Sequence, residues 1–239
     1  MTEIDPRGIR NVVILTGAGI SAESGLATFR DSGGLWEGHD PMEIATPGAF
    51  SRNPELVYRF YNARRRQMGD ARPNDAHRAL ARLQQSYRGD VFLVTQNVDD
   101  LHERAGSSQI CHMHGELMSV LCQRCGARSP WQLDCDQSTI CPGCASCGSV
   151  RPDIVWFGEM PYSLEDIGRR LIQCDLFVAI GTSGVVYPAA GFVREARHSG
   201  AITVEINREP SEVTSEFQQQ RLGLATREVS ALVEELLTA

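Results

Sequence analysis

Residues 12–15, Val-Val-Ile-Leu, are a run of large or β-branched apolar side chains that gives way at once to Gly17-Ala18-Gly19. A run of that length and kind reads as a parallel strand buried on both faces, and no other stretch limits the fold so tightly. Glycine admits unusual backbone angles and lets a ligand approach with no Cβ in the way. The following Ile20-Ser21-Ala22-Glu23-Ser24 would open a helix whose free N–H groups face the turn, a place that suits a pyrophosphate. The spacing is G-x-G-x-x-A, an alanine-ended form of the dinucleotide fingerprint. A plain strand-to-helix turn with no ligand has the same local look.

Further along, short apolar runs alternate with helical patterns. Residues 91–94 repeat the buried strand and end in Thr95-Gln96-Asn97-Val98-Asp99-Asp100, amide and carboxylate side chains at a strand's carboxyl end, where open α/β sheets bind ligands. Asn53-Pro54 supplies an N-cap and a first-turn proline for a helix reaching about residue 68. Residues 75–85 give another helix, with Ala76, Ala79, Leu80 and Leu83 on one face. Strands are expected at 153–157, 175–180 and 201–206, and helices at 188–198 and 227–237. Residues 109–117, which carry His112 and His114, fit one short strand. The glycine-rich stretch 30–38 reads as a loop that closes over a ligand. The expected fold class is α/β, a Rossmann-like parallel sheet with a small inserted zinc-binding domain. The Rossmann-like part takes residues 1–30, 70–115 and 150–239. The zinc domain takes about 116–149 and a helical insertion about 31–69.

Seven of the eight cysteines fall between Cys111 and Cys147. Cys122-Gln-Arg-Cys125 is followed, after 18 residues, by Cys144-Ala-Ser-Cys147, which matches the spacing of a four-thiolate zinc knuckle. Cys141-Pro-Gly-Cys144 fits as a second pair too. Cys144 with Cys147 is the preferred choice, because Gly126 and Gly148 each follow the last cysteine of a pair and would let backbone amides turn toward sulfur. Four thiolates close the tetrahedron, so the metal's role would be structural.

The chain has 239 residues and a net charge of −7, which offers no basic field for a nucleic-acid backbone. Its amino terminus lacks the apolar core of a signal peptide, and no run is long enough for a membrane span. A cytoplasmic protein without nucleic-acid or membrane partners is expected. Oligomeric state is left open.

The blocks GAGISAESGLATFR, TQNVDDLHERAG, HMHGEL, RPDIVWFGEMP, GTSGVVYPAAGF and EIN, in that order around the cysteine pairs, resemble the sirtuins, NAD-dependent protein deacylases. Within that family the resemblance is to the bacterial CobB type. It covers nearly the whole chain. It implies that NAD is consumed as co-substrate and that an acylated lysine of a protein substrate is bound between the two domains. One structural zinc ion completes the set, and nicotinamide and O-acyl-ADP-ribose are the products.

His114, in the HG block, is then the general base for a ribose hydroxyl, a task suited to histidine near neutral pH. Asn97 shares the catalytic role by ordering the reacting water. Gln96, Asn97 and Asp99 contact the nicotinamide ribose. Gly17, Ala18, Gly19, Ser21, Phe29 and Arg30 form the opening wall of the NAD site, Gly181, Thr182 and Ser183 meet phosphate and ribose, and Asn207 with Ala225 hold the adenosine end. Val155, Trp156 and Phe157 would pair with the substrate backbone as an extended edge. Tyr61 and Arg64, three apart on one helical face, resemble the pair that reads an acyl carboxylate in the desuccinylase branch, which implies succinyl and malonyl as well as acetyl substrates. Three other functions share parts of this pattern. A dehydrogenase would need an acidic residue ending a second strand about 20 residues on, where this chain has loop. A zinc-ribbon interaction module leaves the QN-x-D block unused. Transfer of ADP-ribose to protein is compatible with the resemblance.

Overall fold

The computed structural model describes residues 6–26 and 38–238. Phe29, Arg30 and nearly all of the glycine-rich stretch after them lie outside the described residues. Among the described residues the strands are β1 (Asn11–Thr16), β2 (Asp90–Thr95), β3 (Ile110–His112), β4 (Gly115–Cys122), β5 (Arg128–Pro130), β6 (Val150–Ile154), β7 (Leu176–Ile180), β8 (Ile202–Asn207) and β9 (Gln219–Leu222). The α-helices are α1 (Pro41–Ile44), α2 (Pro47–Arg52), α3 (Pro54–Gln67), α4 (Asp75–Ser86), α5 (Leu101–Arg104), α6 (Leu164–Gln173), α7 (Phe192–His198) and α8 (Ala225–Leu237).

Six strands form one parallel sheet in the order β3-β2-β1-β7-β8-β9. Counted within that sheet the order is 3-2-1-4-5-6, the doubly wound arrangement in which ligands bind where the winding reverses, beyond the carboxyl ends of the strands. The reversal falls between β1 and β7. Register brings Thr16 level with Thr95 on one side and with Ile180 on the other, so three strand ends meet there.

β1 is buried along its length after Asn11 because both faces are covered. Val12 and Ile14 join Leu93, Val178 and Val204 in a core shared with α4 and α8, while Val13 and Leu15 join Val94, Phe177 and Ala179 in a second core with α6 and α7. Each of these side chains larger than alanine contributes about 1.5–3 kcal/mol by leaving water. Local sequence sets the helix starts: Asn53 Oδ1 accepts from Leu56 N at 3.1 Å ahead of Pro54, and Asn74 with His77 forms a reciprocal cap on α4.

The second sheet is small and antiparallel, in the order β5-β4-β6. Residues 150–154, assigned from sequence to the Rossmann-like part, are its edge strand β6, and an edge tolerates Pro152. Trp156, Ile154 and Leu117 pack with Val57, Phe60 and Tyr61 of α3 in a third core. Residues 109–117 are two strands and not one. β3 ends at His112 in the large sheet, Met113-His114 forms the bend, and β4 leaves for the small sheet. Gly115 makes that bend possible, with φ +83° and its Cβ position only 2.0 Å from the Asp153 carbonyl oxygen. The run Ile20–Ser24 also departs from expectation: Ala18–Ile20 and Ala22–Ser24 are two short 3₁₀ turns and not a continuous helix.

Gly115→Ala, which meets both backbone strain and a backbone clash, should lower unfolding free energy by roughly 3 kcal/mol. Gly200→Ala is the control, because φ there is +93° with nothing within 4 Å of the added Cβ. Conformation alone should then cost about 1 kcal/mol, and paired urea melts of the two variants measure the difference.

Candidate active site and cysteine cluster

The strand ends at the sheet's reversal are tied by backbone contact. Gly17 N donates to Ile180 O and Gly19 N to Gly181 O, both at 2.9 Å. A Cβ on Gly19 would lie 2.6 Å from Gly181 Cα, and one on Gly17 would lie 2.8 Å from Gly181 O. These glycines are therefore required first by the approach of β7's turn, and Gly181 itself has φ +63°. Asn207 Nδ2 donates to Thr182 O at 2.7 Å, so β8 steadies the same turn. Ala225 opens α8, and the next residue, Thr226, is bound through its N–H and hydroxyl to Glu23. Residues 17–21, 181–183, 207 and 225 thus border one region.

The Gln96–Asp99 turn closes the region from the β2 side. Gln96 N donates to Thr16 O at 2.9 Å, and Asn97 N to Thr95 Oγ1 at 3.0 Å. Asn97 Nδ2 donates to Gly17 O at 3.1 Å and reaches Ser21 Oγ at 3.3 Å. Ser21 in turn donates to Asp99 Oδ2, whose other oxygen accepts from Leu101 N. Burial raises the Asp99 pKa against the pull of those two hydrogen bonds.

His114 adjoins this turn. Its Nδ1 lies 3.2 Å from Gln96 O, and its own carbonyl accepts from Val155 N at 2.9 Å. A carbonyl only accepts, so Nδ1 carries the proton and Nε2 keeps its lone pair. Burial holds the ring's pKa below 6.5, with the Gln96 bond working the other way. The result is a neutral imidazole with a basic nitrogen.

Two buried histidines that the sequence reading passed over stand behind Ser21. His77 Nε2 is 3.5 Å from Ser21 Oγ, and burial lowers its pKa to about 4. His102 Nε2 is 3.0 Å from Thr16 Oγ1, and its pKa too is pushed well below 6.5 by burial. The Asn74-x-x-His77 spacing is a capping-box signal that could have found the first.

The wall formed by residues 155–157 differs from expectation. All three N–H groups are already engaged, Val155 with His114 O, Trp156 with Glu159 Oε2 and Phe157 with Ala45 O. A substrate strand cannot use those donors, and Trp156 is buried, not an open edge. Its Nε1 donates to Tyr61 Oη at 3.0 Å, and the Arg151 guanidinium lies 4.0 Å from its ring centroid. Tyr61 is fully buried, and burial pushes its hydroxyl pKa upward while the nearby Arg64 charge pulls it down. The three neighbouring arginines of α3 are not one solvated run. Arg65 is buried on Leu117 O and Asn62, and Arg66 pairs with Asp134.

The cysteines correct one choice. The sulfurs of Cys122, Cys125, Cys141 and Cys144 all lie within 4.8 Å of one another. The Cys122–Cys144 and Cys125–Cys141 separations are each 3.8 Å. A tetrahedron with zinc–sulfur bonds of about 2.3 Å has edges of about 3.8 Å, so the donor set fits that ion. Cys147, the expected fourth ligand, is outside the group and turns its Sγ to Ser138 O at 3.4 Å. The hairpin at 140–147 decides this: Cys141 N donates to Ser146 O, Ala145 N to Cys141 O, and Gly143 N reaches Cys141 Sγ at 3.3 Å. The amide that turns toward sulfur comes from Gly143, within the Cys-Pro-Gly-Cys pair, while Gly126 N goes to Cys122 O.

A family model described as the Sir2 family matches residues 17–188. The chain belongs to the Sir2 family. An NAD-dependent protein deacylase of Vibrio cholerae serotype O1 is 54% identical over 232 residues, covering 96% of this chain and 94% of the relative. One of the same description from Caulobacter vibrioides is 53% identical, covering 97% and 98%. Among solved structures, a complex of a Sir2 homologue with NAD superposes with TM-score 0.88 at 37% identity, covering 98% of this chain and 91% of that one. A second Sir2 structure, bound to a propionylated peptide, gives TM-score 0.80 at 29% identity, with coverage of 96% and 94%.

For this Sir2 chain, Cys141→Ser should release zinc and Cys147→Ser should retain about one ion per chain, as four-thiolate closure requires. Metal content after gel filtration of the two variants measures it, and the opposite pattern would restore Cys147 to the set.

Proposed function

We propose that the chain is an NAD-dependent protein-lysine deacylase that releases nicotinamide and O-acyl-ADP-ribose. The observation that carries the reading is the pairing of His114, a neutral base with Nε2 available, with the Gln96-Asn97-Asp99 turn at the sheet's reversal. NAD enters as a substrate and is cleaved. The acyl-amide oxygen bonds to the ribose carbon as the bond to nicotinamide breaks. His114 accepts a ribose hydroxyl proton, which lets that oxygen bond to the former acyl carbon. The bond from that carbon to the lysine nitrogen then breaks, the proton leaving with the free amine, and water adds to the same carbon, which leaves the acyl group on the ribose oxygen and a hydroxyl where nicotinamide was. Asn97 and Asp99 hold the ribose and the water, and the buried setting keeps competing water away. Deacylation is favoured over transfer of ADP-ribose to protein because the near-full-length relatives carry the former description.

Zinc would be held by Cys122, Cys125, Cys141 and Cys144, and with four protein ligands it supplies structure and no open coordination site. Partners are proteins bearing acylated lysine. Among the described residues no helix is long and apolar enough to cross a membrane. The net charge of −7 offers no basic field for a nucleic-acid partner, and a cytoplasmic location is part of the same proposal.

Acidic acyl groups, succinyl and malonyl, belong to the substrate range together with acetyl. Tyr61 and Arg64 share one side of α3, next to the Trp156 wall, and a carboxylate there would receive a phenol hydrogen bond and a charge-assisted one.

His114→Ala should lower NAD-dependent deacylation by on the order of 100-fold to 10,000-fold without changing the melting temperature appreciably. In the parent enzyme the acid limb of kcat/KM should lie below 6.5, because a base with a depressed pKa stays unprotonated to lower pH. Tyr61→Phe with Arg64→Met should cost desuccinylation roughly tenfold or more beyond any loss of deacetylation. Peptide assays with the two acyl groups check this, and equal losses would make the pair a support of the fold.

A further inference from the structure

His112 precedes His114 by two residues and meets the opposite environment. Its side chain is 5% exposed, with Nδ1 3.2 Å from Asn97 O and Nε2 2.6 Å from Glu103 Oε1. A carbonyl and a carboxylate both accept, so both ring nitrogens must donate. Only the imidazolium has two N–H groups. The ring that the HMHGEL block suggests as a spare histidine is therefore a fixed cation beside a neutral base.

The two rings hold consecutive carbonyls of one turn, His114 on Gln96 O and His112 on Asn97 O. Between those carbonyls lies a single residue step, so the direction of one peptide group limits the other. Asn97 is also gripped from its N–H by Thr95 and through its amide by Gly17 O. His112 supplies the remaining restraint, on the carbonyl.

We propose that His112 is a positioning residue, an imidazolium locked between Glu103 and the Asn97 carbonyl that sets the Gln96–Asp99 turn for NAD and thereby the tautomer of His114. This rests on the deacylase reading for its kinetic consequence. Charges around the ring support a stable cation. Glu103 on α5, Glu116 on β4 and Asp99 on the turn are the carboxylates that act on it. His102 on α5 adds no charge, being held neutral by burial. The ring also borders a cleft of about 350 Å³ that contains Asp166 and two arginines. Those arginines are committed elsewhere, Arg128 to Asp153 and Arg170 to Asp90. Burial works to lower the His112 pKa, but the Glu103 hydrogen bond and charge, the Glu116 charge and the Asn97 carbonyl together carry it above 6.5. Loss of the Nε2 proton would set a lone pair against the carboxylate. Glu103 is 43% exposed and free to swing into water, which would release the ring and the Asn97 carbonyl.

The positioning is present while His112 is protonated and is lost as pH rises through its elevated pKa, so it acts on the alkaline limb, whereas His114 sets the acid limb. Ring-nitrogen NMR of the full-length protein, with assignments from His112→Gln and His114→Ala, should show His112 doubly protonated at neutral pH and titrating above 6.5. Glu103→Gln should move that titration to lower pH, carry the alkaline limb of kcat/KM for NAD with it, and cut alkaline-side kcat/KM on the order of tenfold. His112→Gln should abolish the limb. Circular dichroism establishes that each variant is folded, and because Glu103 is half-exposed, Glu103→Gln carries the test should His112→Gln fail to fold. A neutral His112 ring at neutral pH, or an alkaline limb unmoved in Glu103→Gln, overturns the proposal. Absence of NAD-dependent nicotinamide release by the parent protein would instead overturn the deacylase reading, and the NMR titration would then decide the state of His112 by itself.

Discussion

The amide of Asn97 is the hinge pin of the molecule. By donating to the Gly17 carbonyl it joins the turn after β2 to the turn after β1, and Gly19 in turn joins β1 to β7 through the Gly181 carbonyl. Two short interactions thus fasten three strand ends at the place where the sheet's winding reverses. Because those ends are buried between two apolar cores, the hydrogen bonds there compete with little water, and an unpartnered group would be expensive. The polar chemistry is consequently crowded into one turn with little room to relax.

Much of this was legible because it is written in local chemistry. A four-residue apolar run bounded by glycine, as at residues 12–17, has few readings besides a buried parallel strand, and Asn53-Pro54 marks a helix start through side-chain capping. The features that escaped depend on what lies across space. Nothing in residues 150–154 announces that they pair with β4 and not with the large sheet, since the β-pattern is the same in either place. Four further elements, α5, α6, β5 and β9, were not read at all. Gln219–Leu222 has mixed exposure and polar side chains, so only its pairing with β8 makes it a strand.

The site was legible unevenly for the same reason. Residues named by block, His114 and the 96–99 turn, do come together. Choosing between Cys141 and Cys147 required the hairpin's backbone, because both offer a Cys-x-x-Cys pair and a nearby glycine. Val155–Phe157 read as an open edge because hydrophobic runs carry no sign of whether their N–H groups are spent. Ala45, which spends one of them, is remote in sequence, and Glu159, which spends another, lies just past the run, where the apolar pattern within it encodes neither. The opposite fates of His112 and His114 are also invisible to periodicity. They arise from Glu103, eleven residues before His114 and on another element.

β4 begins one residue after His114 and ends at Cys122. Eight residues at about 3.3 Å each make a span of about 26 Å, less a little where the strand bulges. One end of this rod is at His114 and the other at the metal-fitting cluster, with β6 running alongside. An ion held by those four sulfurs would fix the far end of a stiff beam whose near end adjoins His114, and so would act on the site mechanically and not by contact.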